Sequence, residues 1–295
     1  MDSKICEISY IYYFLKVFNK NFLLFYFKFF FFDNDIFFII ILMDKISSQY
    51  NLINEFKNDF IHYKENEPGI IEPIFYPISL SEVRPQIINW FIFLCDNLNF
   101  SIQTLYRTVI IFEQYLSKLN NCNLTQEKLN LIAIASLSLG TKLEEINCNY
   151  TSFFTEKILN SPHYEIYKKT DLTKMEFEIL KTLKFKTLYS TAIDFSKVYL
   201  KIFSIYCNEN QFLIQNFQKV NEMLLKKYLL NDMIITMQQS QIAYFCFVEC
   251  FNILGINIYI LRNIENILLN TIVKNNNQKE NNNNNKYNIK ALFSL

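Results

Sequence analysis

Leu129-Asn130-Leu131-Ile132-Ala133-Ile134-Ala135-Ser136-Leu137-Ser138-Leu139 is apolar on almost every face of a helix, which is the pattern of a helix enclosed by others. Around it the apolar residues recur at helical spacing. Upstream these are Ile87, Ile88, Phe91 and Leu94, then Leu105, Val109, Phe112 and Leu116 after Ser101, a suitable N-cap. Downstream, Met175, Ile179 and Leu183 are spaced by four. Asn120-Asn121, Asn147–Asn149 and Ser161-Pro162 separate these segments. Past Tyr189 the rhythm continues through 191–206, 211–230, 237–254 and 257–273, each long enough for a packed helix. The β-branched runs all sit inside helical patterns, so the chain reads as all-α, in two bundles.

Composition agrees with that reading. A chain of 295 residues, 51% hydrophobic, suffices for two helical domains with their own cores. Its 3 Gly and 5 Pro suit long helices and argue against barrels, sandwiches and phosphate-cradling loops. A net charge of +1 gives no field with which to seek nucleic acid. The 7 cysteines include no C-x-x-C pair and only 2 His accompany them, so no metal site is expected. Cys246 and Cys250 share a helix face and read as buried thiols in a reducing compartment. With no GxGxxG, GxxxxGK or HExxH string, no catalytic residue, cofactor or small-molecule substrate is expected.

The two ends differ from the middle. Residues 10–42 are crowded with Phe, Tyr, Ile and Leu, yet Lys16, Lys20, Lys28, Asp33 and Asp35 interrupt them. A membrane helix needs roughly 18 nearly uncharged apolar residues, and no small-residue cleavage site marks a secretory signal. The enrichment is what translation of very A/T-rich sequence yields. We therefore expect residues 1–43 to be a Phe-rich extension, with Met43 as the functional start; a membrane-associated protein built around residues 10–42 is the competing reading. Residues 275–295 read as an Asn-rich disordered tail.

Val83-Arg84-Pro85-Gln86-Ile87-Ile88-Asn89-Trp90 resembles the Met-Arg-Ala-Ile-Leu-x-x-Trp segment that opens the box of the cyclin family. Tyr115-Leu116-Ser117 follows where cyclins have a Y-x-D-R-F-L-S-like string. Thr141-Lys142-Leu143-Glu144-Glu145-Ile146 resembles their S/A-K-x-E-E-I, and Met175-Glu176-Phe177-Glu178-Ile179-Leu180 their M-E-x-x-I/V-L. Arg84, Glu113, Leu131, Lys142 and Glu176 thus stand at hallmark positions in order, closest to the A, B and E classes. The resemblance implies tandem cyclin folds: an N-terminal helix and polar lead-in over 44–82, a box over 83–188 and a cyclin-like domain over 189–274. In the last, Gln239-Ser240-Gln241-Ile242-Ala243 resembles P-S-x-I-A, and the domain is shortened, with room for one long helix after Gly255.

The resemblance further implies a non-catalytic subunit of the nucleus and cytoplasm that binds and activates a cyclin-dependent kinase. Lys142 and Glu176, by inspection ordinary solvated charges, would hydrogen-bond the kinase backbone beside its αC helix. Leu143, Leu180 and Phe185, with Tyr50, Ile53 and Phe56, would complete that contact. Arg84 and Glu113 match a buried Arg–Asp pair that locks two helices, with Glu one methylene longer than Asp; two independent solvated charges are the other reading. Val83, Gln86, Ile87 and Trp90 match a substrate-docking groove, but Gln86 replaces an aliphatic residue, and Phe93 stands where an acidic residue would meet the substrate. Lys64-Glu65-Asn66, in a polar segment, resembles a KEN degron, as does Lys279-Glu280-Asn281; no R-x-x-L occurs. A cyclin-fold adaptor or transcription-related module without kinase activation is the alternative. It calls for a basic DNA-facing surface, which the net charge does not support.

Overall fold

The computed structural model describes residues 51–69, 78–119, 124–145, 167–207, 210–231, 236–257 and 259–264. Their regular structure is helical: α1 (51–65), α2 (Ile78–Asn97), α3 (Ile102–Leu116), α4 (Gln126–Glu144), α5 (Lys169–Thr182), α6 (Ala192–Tyr206), α7 (Gln211–Leu229), α8 (Gln239–Leu254) and a stretch at 259–264. No strand occurs among the described residues. Met1–Glu55 and Phe56–Leu295 are separate compact units. Of the first, residues 51–55 are described; they are helical, with Leu52 exposed and Ile53 half-buried.

Local chemistry sets the helix ends. Ser101, Thr125 and Asn210 accept from the backbone N–H three residues on, starting α3, α4 and α7. Thr191 and Asp194 cap α6 reciprocally. Gly255, with φ 61°, stops α8 in the left-handed conformation that a side chain disfavours. α2 begins at Ile78, inside the stretch expected as a polar lead-in, and carries Pro85 inside it. Proline removes one backbone donor there, and the packed face of Arg84, Ile87, Ile88 and Phe91 holds the helix across the gap.

α3 is the axis of the second unit. Thr104–Glu113, Tyr115 and Leu116 are all buried, and the helix packs on α2, α4, α5 and α6. α4 lies closest against it: a Cβ on Gly140 would stand 2.2 Å from Thr108 Oγ1 and 3.1 Å from its backbone N. Glycine is what permits the approach. α6, α7 and α8 pack around Phe203, Phe217, Phe247 and Phe251, whose ring centroids lie 4.4 to 6.3 Å apart in every pairing. Such contacts add about 0.5–1.5 kcal/mol each beyond burial. The Tyr106 hydroxyl donates to the Leu225 carbonyl at 3.0 Å and ties α3 to α7.

The thiols of Cys95, Cys246 and Cys250 are buried and free. Burial pushes Cys95 and Cys250 up to about 12, and Cys246 also upward, so all stay protonated and unreactive. Among the described residues no group of His, Cys, Asp and Glu could hold a metal, and no helix is long and apolar enough to cross a membrane. Residues 10–42, Tyr50 and Lys279-Glu280-Asn281 lie outside the described residues.

Candidate functional site

The charged residues at the hallmark positions form ion pairs between box helices. Arg84 on α2 reaches Glu113 on α3, its Nε and Nη2 donating to Glu113 Oε1 at 2.8 and 2.6 Å, with both residues buried. The extra methylene of Glu is thus accommodated. Lys142, in the last turn of α4, donates to Glu176 Oε1 on α5 at 2.6 Å. A cation there is favoured by the carbonyl end of the helix. The Ser138 hydroxyl donates to the same oxygen at 2.5 Å, which leaves Oε2 free to accept from a partner.

Glu176 departs from the solvated charge read by inspection. It is 8% exposed, because its neighbours Leu172, Met175 and Ile179 belong to the core and draw that face of α5 inward. The Lys142 side chain remains 37% exposed. The pair therefore has one buried and one open member.

Apolar residues flank the open end. Leu143 is 38% and Phe185 64% exposed, and Leu180 is half-buried. Lys184 and Phe185 have φ of 54° and 59°, where side chains are unfavourable. The Phe185 N–H donates to the Leu180 carbonyl at 2.8 Å, closing α5 and turning the ring outward. Arg107 fixes the next residues, its guanidinium donating to Glu144 Oε1 at 2.7 Å and to the carbonyls of Thr187 and Tyr189. Strain of this kind gathers at functional sites. Phe56, in contrast, is 4% exposed and lies under the Lys201 ammonium. It is core and cannot also be a contact surface, a correction to its sequence reading.

The carboxylate at the C-cap of α4 has a separate task. Glu145 Oε1 accepts from the Ser101 N–H at 2.8 Å and the Thr104 hydroxyl at 2.5 Å. Burial pushes its carboxyl up, but these hydrogen bonds outweigh that and hold it below the usual range. Arg107 and Glu145 escaped the sequence reading. The signal for Arg107 was available, since a cation within so apolar a run as Leu105–Phe112 requires a partner.

Val83, Gln86, Ile87 and Trp90 come together as one wall of a cavity of about 190 Å³. The facing wall, Gln126, Asn130 and Ala133, was not read from the sequence. Phe93 is 62% exposed and is not among the lining residues.

Lys64-Glu65-Asn66 is not the free polar segment it resembles. Lys64 and Glu65 are helical and Asn66 forms the turn that closes α1. Lys64 Nζ donates to Glu67 at 2.5 Å, Gln238 at 2.6 Å and Ser240 at 2.8 Å. The Asn66 carbonyl accepts from the Ser190 N–H at 3.0 Å, and Glu67 accepts from the Ser240 N–H at 2.6 Å, at the start of α8. Apart from Glu67 these partners are remote in sequence, so Lys64 is tied into the fold.

Residues 61–188 match the family model described as cyclin, N-terminal domain. The match takes in the end of α1 as well as α2 to α5. Cyclin-B2-1 of Arabidopsis thaliana is 30% identical over 146 residues, 48% of this chain and 32% of that protein. A G2/mitotic-specific cyclin-2 of Medicago sativa is 26% identical over 136 residues, 45% of this chain and 39% of the relative. The match thus spans about a third of these relatives' own length. The fold is similar to the X-ray structure of a viral cyclin from herpesvirus saimiri, with a TM-score of 0.53 and 16% identity over 75% of this chain and 93% of that one. Residues 61–188 are thus a cyclin box, and the similarity to the cyclin family is carried by that part of the chain.

Proposed function

We propose that the chain binds and activates a cyclin-dependent serine/threonine kinase through the surface where α4 ends beside α5. The observation that carries this reading is the half-open Lys142–Glu176 pair, bordered by Leu143 and by Phe185 held outward on a strained backbone. Apolar side chains ringing a charge with spare hydrogen-bonding capacity suit a partner that offers backbone groups. Lys142 keeps ammonium hydrogens to donate, and Glu176 keeps Oε2 to accept.

Activation then follows from kinase physics. An active kinase pairs its β3 Lys with the αC Glu. A partner that grips the segment beside αC only in that arrangement shifts the population toward it. The subunit contributes no chemical group; it is an allosteric ligand.

The test is co-purification of Lys142→Ala with the kinase, beside its thermal melt. Stranding kinase groups in a desolvated interface weakens association by about 1–3 kcal/mol per group, roughly tenfold or more. The free protein should melt within about 1 kcal/mol of the parent, because the ammonium is half in water. Undiminished kinase capture overturns the reading and leaves the adaptor.

A further inference from the structure

α5 presents a second exposed face that the proposed kinase contact does not use. Leu172, Met175, Glu176 and Ile179 point inward. On the opposite side Lys169, Thr170, Thr173, Lys174, Phe177 and Lys181 are exposed, and Lys184 follows past the helix end. Thr170, Thr173, Lys174, Phe177 and Lys181 fall at helical spacing along one ridge. Phe177 is at its centre and is 60% exposed, large for an aromatic ring on a surface.

Among the described residues the charge on this ridge is left uncompensated. Between residues 168 and 186 the carboxylates are Asp171, Glu176 and Glu178. Asp171 accepts from the Lys168 N–H and caps the helix. Glu176 lies on the inward face, where it meets Ser138 and Lys142. Glu178 accepts from the Tyr115 hydroxyl at 2.7 Å, with Lys128 at 4.0 Å. No carboxylate among the described residues pairs with Lys169, Lys174, Lys181 or Lys184. A chain of net charge +1 thus gathers lysines around one bare aromatic ring.

We propose that this face of α5 docks an acidic segment of a partner protein. An apolar side chain of that segment covers Phe177, and its carboxylates meet Lys169, Lys174, Lys181 and Lys184. The exposed face from Lys169 to Lys181 is about 18 Å long at 1.5 Å per residue, which an extended peptide of roughly six residues spans. Nucleic acid fits it less well. The cations are all lysines, without the arginine forks that grip phosphate, and the centre is an apolar ring on a convex helix. Phe177 lies about 100° around the helix from Glu176, so docking is separable from the kinase contact and goes beyond it.

Fluorescence anisotropy of the full chain with a labelled peptide of glutamates around one leucine tests this. The peptide should bind and weaken as salt rises. Lys174→Glu combined with Lys181→Glu should lose on the order of tenfold in affinity, and Phe177→Ser severalfold, with helical circular dichroism and kinase co-purification unchanged. Any of four results overturns the proposal: no binding by the parent, equal binding by the charge-reversed chain, equal binding of a glutamine version of the peptide, or preferential displacement by a single-stranded oligonucleotide. Loss of kinase capture along with peptide binding would merge the two surfaces and overturn it as a separate site.

Discussion

Arg84–Glu113 and Lys142–Glu176 have the same closest separation, 2.6 Å, and each joins two helices of the box. They differ in where they lie. The Arg84 side chain is 0% exposed and its pair is enclosed by α2, α3 and the core. The Lys142 side chain is 37% exposed, and its carboxylate keeps an unused oxygen. A sealed pair has no capacity left for a partner, so its consequences are confined to folding. The half-open pair contributes less to folding and is free to exchange its bonds for a partner's. Burial, more than charge or spacing, separates a lock from a contact.

Breaking the sealed pair should have the largest effect. Arg84→Ala strands the Glu113 carboxylate in the core and should destabilise by about 3–5 kcal/mol, read by denaturant unfolding. Loss below about 1 kcal/mol would erase the distinction between the two regions. Gly140→Ala probes the same sealed zone without touching charge. Its methyl meets Thr108 across the α3–α4 seam, and overpacking of that kind costs about 1–3 kcal/mol. An unchanged melt would show that the seam is able to part.

The open region should respond in the other direction. Lys184→Gly relieves a left-handed residue and should stabilise by up to about 1–2 kcal/mol, measured by the same unfolding curve. A loss of stability would mean that the Lys184 side chain supports the turn. Glu145 gives the smallest effect, and one that depends on pH. Its folded carboxyl is held below the usual range, so its contribution is present above the unfolded value and lost as pH falls through the folded one. Melts of Glu145→Gln and parent should therefore differ at neutral pH and converge in acid. A gap that persists unchanged in acid would assign the contribution to packing.

Helix periodicity made most of the second unit legible, because apolar stripes at 3.6-residue spacing arise from the need to bury one face. α4 to α8 fall close to where that spacing put them. α3 was harder. Its stripe of Leu105, Val109, Phe112 and Leu116 describes a half-buried helix, whereas the helix is enclosed on nearly all sides. The polar residues on its other faces, Arg107 and Glu113 among them, are buried because Glu144 and Arg84 meet them there. A charge pattern alone cannot distinguish a solvated residue from a paired one.

By itself the sequence determined the helical class, the order of the helices and the types of residue that stand at the box positions, since these depend on local spacing and caps. Tertiary structure decided which charges were sealed and which left open. It buried Phe56 and turned Phe185 out, placed Glu176 within reach of Ser138 and Lys142, and tied Lys64 to Gln238 and Ser240. The physical reason is that burial depends on neighbours brought in from distant parts of the chain. A hydrogen bond between residues 34 or 176 positions apart leaves no mark on the periodicity of either segment.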